Sequence, residues 1–225
     1  MNSESFSAIQ YSDASRSGLS RPENLRIEKA LGMVGTNKKA LDIGAYNGAI
    51  SKKIKALGNE VWATDATDAF SPEFSSAGIE FVKSNIEEKL PYEDNKFDVV
   101  FAGEVLEHLV NTDGFVEEIK RILKKDGYLI LTTHNTASLA RRILLLLGRN
   151  PFFEASFTHA GKLAAGHLRY FTFDLLLDFL NFHGLEVVER TSDVVNFSGS
   201  ISSALLAKIF PALGRSIILK VVKTE

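Results

Sequence analysis

Short apolar runs alternate with helix-like segments along the chain from about residue 21 onward. Runs with the length and composition of buried strands lie at 40–43, 61–64, 79–82, 97–102 and 128–133. The run 97–102 is almost wholly apolar, which is typical of a strand covered on both faces. Because strands that alternate with helices form parallel sheets, the pattern predicts an α/β fold with a mostly parallel sheet.

Helix signals and further strands extend this pattern. Ser71 is expected to cap a short helix that has Pro72 at its first position, and Thr172 is expected to cap a later helix. Two more strands are expected at 185–195 and 216–222. Residues 21–225 are therefore predicted to form one domain.

Composition narrows the functional class. The chain has 225 residues, a formal net charge of −2 and scattered lysine pairs, so a nucleic-acid partner is not expected. It contains no cysteine, which excludes disulfides, thiolate nucleophiles and cysteine-ligated zinc. Residues 1–20 are polar and serine-rich, lack the features of a signal peptide, and are expected to form a flexible tail. We expect a soluble cytoplasmic protein, and the oligomeric state stays open.

A glycine-containing turn follows the first predicted strand. Gly44 allows the backbone to approach a ligand without a Cβ in the way, and Gly48 comes where the next helix starts. The start of a helix suits a carboxylate, and Asp42 places a negative charge beside the turn. S-adenosylmethionine has a carboxylate and an ammonium group on its methionine end, so the turn matches this cofactor.

A second acidic residue lies at the end of the next strand. Asp65 follows the run 61–64, about 20 residues after Gly44, where a carboxylate can accept hydrogen bonds from both hydroxyls of a ribose. A strand-end aspartate alone is more often a turn residue. Together with the glycine turn, Asp65 predicts a nucleoside site.

These motifs resemble a known family. The segments 40–48, 62–65 and 97–109 are similar to class I S-adenosylmethionine-dependent methyltransferases, in the small-molecule branch that includes ubiquinone-type O-methyltransferases. The resemblance covers about residues 22–222. It implies a Rossmann-like, doubly wound, seven-stranded sheet with helices on both faces and an antiparallel edge strand. It also implies methyl transfer to a small molecule, with S-adenosylhomocysteine as the product.

The resemblance implies roles for individual positions. Asp42, Gly44 and Gly48 would hold the methionine end, Asp65 the ribose, and Gly103 and Glu104 would face the methionine and the acceptor. The adenine would contact Ala66, Asn85 and Ile86. Ala45 and Tyr46 of the turn would also contact the cofactor, but here the chain departs from the family pattern, since Tyr46 replaces a third glycine and Ala45 replaces a frequent cysteine. This departure leaves open a non-catalytic binding module on the same scaffold.

Two histidines are candidate catalytic bases. The methyl group moves in line from a cationic sulfur to a nucleophile, so a base is needed only when the acceptor is an alcohol or a phenol. His134 follows the fifth strand, and His167 precedes the helix capped by Thr172. Either histidine can instead have a purely structural role. Glu104 is the third candidate catalytic residue.

Residues 134–170 interrupt the regular alternation. They contain an apolar helix at 137–147 and a loop with Pro151, Phe152, Phe153 and Phe157. A long insertion after a strand is often functional, so we expect a lid and a pocket for an apolar or aromatic acceptor. Two alternatives are simple packing on the core and peripheral membrane contact through Arg141, Arg142 and the leucine run.

A metal site is a further alternative. Glu104, Glu107 and His108 match a Glu-x-x-Glu-His pattern found in metal-dependent members of the family, and they share one face if the segment is helical. His167 would add a fourth ligand, and such a set suits magnesium, manganese or zinc. Similar segments occur in relatives that need no metal.

A nicotinamide-dependent oxidoreductase is the last alternative. Such enzymes also combine a glycine turn with an acid about 20 residues later, but their turn has the pattern Gly-x-Gly-x-x-Gly. Here Ala45, Tyr46 and Asn47 separate Gly44 from Gly48. The sequence therefore favours the methyltransferase.

Overall fold

The computed structural model describes residues 21–152, 158–159, 162–163, 166–198 and 201–224. The predicted tail at 1–20 lies outside the described residues, as do Phe153 and Phe157 of the predicted insertion. The division into a tail and one domain therefore stays a prediction.

The described chain alternates between helices and strands. The helices are α1 (Arg21–Gly32), α2 (Ala49–Ala56), α3 (Ser71–Ser76), α4 (Thr112–Ile122), α5 (Leu139–Leu146), α6 (Phe173–Phe182) and α7 (Ala204–Ile209). The strands are β1 (Lys39–Ile43), β2 (Glu60–Asp65), β3 (Glu80–Lys83), β4 (Phe97–Gly103), β5 (Leu123–His134), β6 (Thr158–His159), β7 (Lys162–Leu163), β8 (Leu185–Thr191), β9 (Val195–Ser198), β10 (Ile201–Ser203) and β11 (Ser216–Lys223). Short 3₁₀ turns cover Leu106–His108 and Pro211–Leu213. Among the described helices, none has both the length and the apolar character needed to cross a bilayer.

Within the described residues, seven strands form one sheet in the order β3-β2-β1-β4-β5-β11-β8. The strands are parallel except β11, which is antiparallel to both β5 and β8. The predicted doubly wound, mostly parallel sheet is thus confirmed, but its antiparallel strand lies one position inside the edge. The reason is composition. Ile217, Ile218 and Leu219 of β11 are fully buried, whereas β8 carries charged residues that suit an edge.

Two predicted boundaries differ from the structure. Phe70, not Ser71, is the N-cap of α3, and Ser71 is its first residue. The predicted strand 185–195 is two strands, because the Asp193 carboxylate between them accepts hydrogen bonds from the backbone N–H groups of Val194 and Ser216. The predicted cap of α6 is confirmed, since Thr172 Oγ1 accepts a hydrogen bond from the N–H of Leu175.

Apolar layers cover both faces of the sheet. On one face, Leu41 and Leu129 belong to a buried cluster with Phe115 of α4. On the other face, Val99 belongs to a second cluster with Ile54 of α2. Because both faces are covered by helices, the open edge at the carboxyl ends of β1, β2, β4 and β5 is where a ligand can bind.

Candidate active site

The turn between β1 and α2 folds back onto the end of β2. The N–H groups of Gly44 and Ala45 both donate to the carbonyl of Thr64, at 2.9 and 3.1 Å. Gly44 has a φ of +69°, and a Cβ at this position would lie 2.6 Å from Cγ2 of Val105. Glycine is therefore required here, and it leaves the backbone bare beside the open edge of the sheet.

Tyr46 occupies the same turn in a left-handed conformation, with a φ of +47°. Its N–H donates to Oδ2 of Asp65 at 2.8 Å. Its ring meets that of Phe70 edge to face, with ring centroids 4.9 Å apart. The left-handed backbone costs about 1–2 kcal/mol for a residue with a Cβ, and an aromatic pair contributes about 0.5–1.5 kcal/mol. The tyrosine therefore fits the turn without displacing the acid beside it.

Two buried carboxylates lie beside this turn. Asp65 is 1% exposed and accepts a second backbone hydrogen bond, from Thr67 at 3.0 Å. Burial raises the pKa of Asp65, and these backbone N–H groups oppose the rise. Asp42 accepts a hydrogen bond from the Ser51 hydroxyl at 2.5 Å. Burial raises the pKa of Asp42 to about 7 against the effect of Ser51, and the negative charge of Asp65 adds to the rise.

The predicted adenine residues lie at the ends of β2 and β3. Ala66 directly follows Asp65, and the N–H of Ser84 donates to the Asp65 carbonyl at 3.0 Å. Asn85 comes next, and its side-chain oxygen accepts a hydrogen bond from the N–H of Glu87 at 3.1 Å. An amide oxygen has a second lone pair, so Asn85 can accept another hydrogen bond. Ile86 packs against the apolar core.

Glu104 stands directly after β4 with a φ of +59°. Its Oε2 lies 2.5 Å from Nη1 of Arg26 and 2.6 Å from Nδ1 of His134, and its Oε1 accepts a hydrogen bond from the Thr132 hydroxyl at 3.2 Å. The helix considered for 104–108 is limited to the 3₁₀ turn Leu106–His108, and Glu104 lies before it. The carboxylate is thus held by neighbouring strands and α1 rather than by a helix face.

The charges of this group are fixed by their proximity. Burial alone would raise the pKa of Glu104, but the positive charges of Arg26 and His134 hold it well below its usual range. Burial alone would lower the pKa of His134, but Glu104, with help from Glu107 at 3.5 Å, raises it to about 10. At neutral pH, His134 is therefore a cation paired with an ionised Glu104.

A second cluster of side chains, made of Glu107, His108 and His167, shares Glu107 with the cluster around Glu104. Glu107 is 1% exposed, and its Oε2 receives no hydrogen bond from the described residues. Possible ligand atoms of Glu107, His108 and His167 lie within 4.8 Å of one another, as do those of Glu104, Glu107 and His134. The predicted four-residue metal set is thus divided between two groups that meet at Glu107.

The remaining two imidazoles of the site are neutral. Burial, with the nearby positive charge of His134, lowers the pKa of His167 to about 3. Burial also lowers the pKa of His108, although Glu107 and Glu104 act against the shift. The His167 ring lies 4.8 Å from that of His108 and 4.9 Å from that of His134, centroid to centroid.

Backbone hydrogen bonds explain how His167 reaches the site. The N–H groups of Leu168 and Arg169 both donate to the carbonyl of Glu107, at 2.8 and 3.0 Å. The Arg169 guanidinium also donates to the carbonyl of Val110 at 2.6 Å. The far end of the predicted insertion is therefore attached to the 3₁₀ turn that carries Glu107.

The membrane alternative for the insertion is corrected at one residue. It placed Arg141 at the contact surface, but Arg141 is 9% exposed and donates to the carbonyl of Pro151 at 3.0 Å. Arg142 is exposed, and its guanidinium donates to the carbonyl of Ala137 at 2.5 Å. Arg141 therefore anchors the loop after α5, whereas Arg142 remains at the surface.

Sequence reasoning missed three residues. Arg26 and Thr132 hold Glu104, and nothing in the spacing of the sequence signals either contact. His183, which was given no role, is buried and lies 2.8 Å from Glu117, so it joins α6 to α4. The sequence signals His183 only by its position directly before Gly184, where the helix α6 is expected to end.

Known proteins match this chain in sequence. Residues 41–131 match the model of a family described as a methyltransferase domain. A ubiquinone biosynthesis O-methyltransferase of Glaesserella parasuis is 31% identical over 129 residues, which are 53% of this chain and 54% of that protein. The human mitochondrial ubiquinone biosynthesis O-methyltransferase is 30% identical over 112 residues, 45% of this chain and 30% of that protein. The chain spans about half or less of the length of these relatives.

Solved structures share the fold along almost the whole chain. A 1,6-didemethyltoxoflavin-N1-methyltransferase of Burkholderia thailandensis, solved with S-adenosylhomocysteine, has a TM-score of 0.64 and 17% identity, and the match covers 100% of this chain and 92% of that one. At this identity the likeness concerns the fold alone. Residues 41–131 are thus similar to a methyltransferase domain, and the chain shares the fold of solved S-adenosylmethionine-dependent methyltransferases.

Proposed function

We propose that the protein transfers the methyl group of S-adenosylmethionine to an oxygen of a small apolar or aromatic acceptor. The observation that carries the proposal is the position of two groups at one edge of the sheet. The glycine turn with Asp65 lies at the ends of β1 and β2, and the cluster of Glu104, Glu107 and three histidines lies at the ends of β4 and β5. The glycine turn with Asp65 could bind the amino acid part and the ribose of the cofactor. The cluster of carboxylates and histidines could bind an acceptor hydroxyl.

The cofactor would bind along the ends of β1 to β4. The amino end of α2 favours its carboxylate, and Asp42 favours its ammonium group. Asp65 would accept hydrogen bonds from the ribose hydroxyls, because its carboxylate is already oriented by two backbone N–H groups. Ala66, Asn85 and Ile86 would surround the adenine, and Gly103 would lie beside the methionine end.

The methyl group would pass from sulfur to oxygen, leaving a neutral thioether on the cofactor and a proton to be removed from the acceptor. The protein mainly has to align the two partners and exclude water. His167 is a neutral imidazole at pH 7 and can take the proton. His134 is already protonated, so it would stabilise negative charge that develops on the acceptor oxygen, and Glu104 would hold it in place.

A second candidate mechanism uses a divalent cation. An imidazole with a pKa of about 3 is a weak base, whereas neutral His108 and His167 beside the buried Glu107 carboxylate form a suitable set of metal ligands. Glu107 Oε2, which receives no hydrogen bond from the described residues, fits a role as ligand. A cation held there, with Glu104 nearby, would lower the pKa of the acceptor hydroxyl and make a separate base unnecessary.

We also infer that residues 134–170 form a lid and the acceptor pocket. The rings of Phe152 and Tyr170 lie 4.9 Å apart, so the loop after α5 contacts the segment that returns to His167. Deleting about residues 149–160 should spare cofactor binding and abolish turnover. Retained turnover would contradict the lid.

A non-catalytic role has less support. The fold does host other reactions: the [4+2]-cyclase SpnF has a TM-score of 0.60 and 17% identity, with 90% of this chain and 81% of that one covered. The feature that favoured a non-catalytic module was Tyr46. The N–H group of Tyr46 donates a hydrogen bond to Asp65 and so supports the carboxylate that would bind the ribose. Tyr46 therefore no longer argues against cofactor binding.

The decisive test supplies isotopically labelled S-adenosylmethionine and a cell extract to the purified protein, and follows the label by mass spectrometry. We expect labelled small molecules with wild type and much less label with Asp65→Ala when the cofactor is kept below its wild-type Kd. Activity that survives exhaustive chelation and is lost in His167→Ala supports the base. Activity that is lost on chelation and restored by magnesium, manganese or zinc supports the cation. Cofactor binding without transfer to any acceptor would contradict the enzyme.

A further inference from the structure

An apolar surface lies on elements that follow β5, partly on α5 of the proposed lid. At the end of α5, Leu145, Leu146 and Leu147 are 62%, 86% and 64% exposed. On β10, on α7 and just after it, the exposed apolar residues are Ile201 at 63%, Leu205 at 68%, Ile209 at 57% and Phe210 at 54%. These seven residues are called the leucine surface below. Exposed apolar residues concentrated in this way mark an interaction site.

The elements of the leucine surface are neighbours in space. Strand β9 packs against α5, β10 and α7, and its Phe197 is itself 41% exposed. Helix α7 is a formed helix and not a frayed end, since the Ser203 hydroxyl accepts a hydrogen bond from the N–H of Leu206 and Ala207 is fully buried. Its outward residues are thus presented by ordered backbone.

The charge around the leucine surface has one sign. The segments 127–153 and 194–224 contain no aspartate and no glutamate. The exposed charged residues on α5, on α7 and after α5 are Arg142, Arg149 and Lys208. The whole chain has a net charge of −2, so the positive charge is local to this region. Apolar side chains bordered by cations are the features of a protein surface that binds anionic lipid.

We propose that the leucine surface docks on an anionic bilayer, with its apolar side chains in the headgroup region and its cations at the lipid phosphates. A second copy of the chain is a poorer occupant, because it would bring Arg142, Arg149 and Lys208 of two molecules together. Helix α5 follows His134 by a few residues, so docking would turn the insertion toward the lipid, from which an apolar compound can enter. The docking itself does not depend on methyl transfer.

Flotation of the full chain with vesicles tests the proposal. We expect binding to vesicles of phosphatidylcholine mixed with phosphatidylglycerol, little binding to phosphatidylcholine alone, and weaker binding at high salt. Leu146→Glu combined with Leu205→Glu should lower the bound fraction about tenfold or more, which corresponds to about 1.4 kcal/mol. Arg149→Glu combined with Lys208→Glu should also lower it, and this pair leaves every apolar residue in place.

The matched control is Phe182→Glu. Phe182 is 84% exposed and is the last residue of α6, as Leu146 is 86% exposed and is the last residue of α5. Both substitutions put a carboxylate at the end of a helix, so their cost to folding is similar. Unchanged binding of Phe182→Glu is expected. No wild-type binding to either vesicle, an equal loss in Phe182→Glu, or a dimer that Leu146→Glu converts to a monomer without vesicle binding would each overturn the proposal.

Discussion

The Nδ1 atom of His134 lies 2.6 Å from Oε2 of Glu104, and Nη1 of Arg26 lies 2.5 Å from the same oxygen. One carboxylate is thus shared by two cations, one on α1 and one at the end of β5. As a result, His134 is charged at neutral pH while His167, 4.9 Å away between ring centroids, is neutral. The two histidines that the sequence offered as equivalent bases therefore cannot have the same role.

Glu104→Gln should lower the pKa of His134 from about 10 toward its usual range, because burial is then opposed only by the smaller effect of Glu107. The measurement is an NMR titration of the imidazole. Glu117→Gln, next to His183, is the matched control and should leave His134 unchanged. A His134 pKa that stays near 10 in Glu104→Gln would contradict the ion pair.

The same substitution should destabilise the protein by about 2–3 kcal/mol at pH 7, measured by urea denaturation. The raised pKa of His134 contributes stability that is present below about pH 6.5 and is lost as the pH rises through about 10. The lowered pKa of Glu104 contributes stability that is present above about pH 4.5 and is lost in stronger acid. The difference between variant and wild type should therefore shrink above pH 10 and in strong acid. A difference that is independent of pH would indicate a packing defect.

Asp65→Ala should weaken S-adenosylhomocysteine binding by about 1.5–3 kcal/mol, or roughly tenfold to more than a hundredfold, in calorimetry. The reason is the lost charge-assisted bond to the ribose. Asp65→Asn keeps an acceptor for the N–H of Tyr46 and should lose less. Binding as tight as wild type in Asp65→Ala would remove Asp65 from the cofactor site.

Cofactor affinity should fall as the pH drops through about 7. Burial raises the pKa of Asp42 to about 7, and only its ionised form favours the ammonium group of the cofactor. The apparent Kd at pH 6 should therefore be about tenfold higher than at pH 8, since each pH unit below the pKa costs up to a factor of ten. Asp42→Asn should bind more weakly and without this step. A step that persists in Asp42→Asn would assign the titration to another group.

Tyr46→Gly should change the free energy of unfolding by less than about 1 kcal/mol, because relief of the left-handed backbone offsets the lost contact with Phe70 and the flexibility of glycine. Tyr46→Ala should be less stable than Tyr46→Gly, since alanine keeps the backbone cost and loses the ring. Thermal denaturation measures both. Equal stability of the two variants would show that the left-handed conformation carries little strain.

The sequence predicts the parts of this molecule that depend on local pattern. The strands at 40–43, 61–64 and 97–102 and the glycine turn come from hydrophobic runs and residues with special backbone freedom, and each lies where it was expected. The contact of Arg26 with Glu104 was not predictable, because it joins α1 to the end of β4 and depends on how the helix packs. The apolar run of β11 indicates a strand inside the sheet, and the charged residues of β8 indicate an edge strand. Only a comparison of the two runs predicts their order.

Residues 135 and 136 pair with Phe171, where Asn135 forms a bridge and the N–H of Thr136 donates to the Phe171 carbonyl at 2.9 Å. The stretch between them is therefore closed at its base, and Glu107 holds its returning end. Because both ends of the stretch are held in this way, the position of His167 does not depend on the length or sequence of the residues between them. A change in the length or sequence of the intervening residues is therefore expected to leave His167 in place, even where it alters the proposed acceptor pocket.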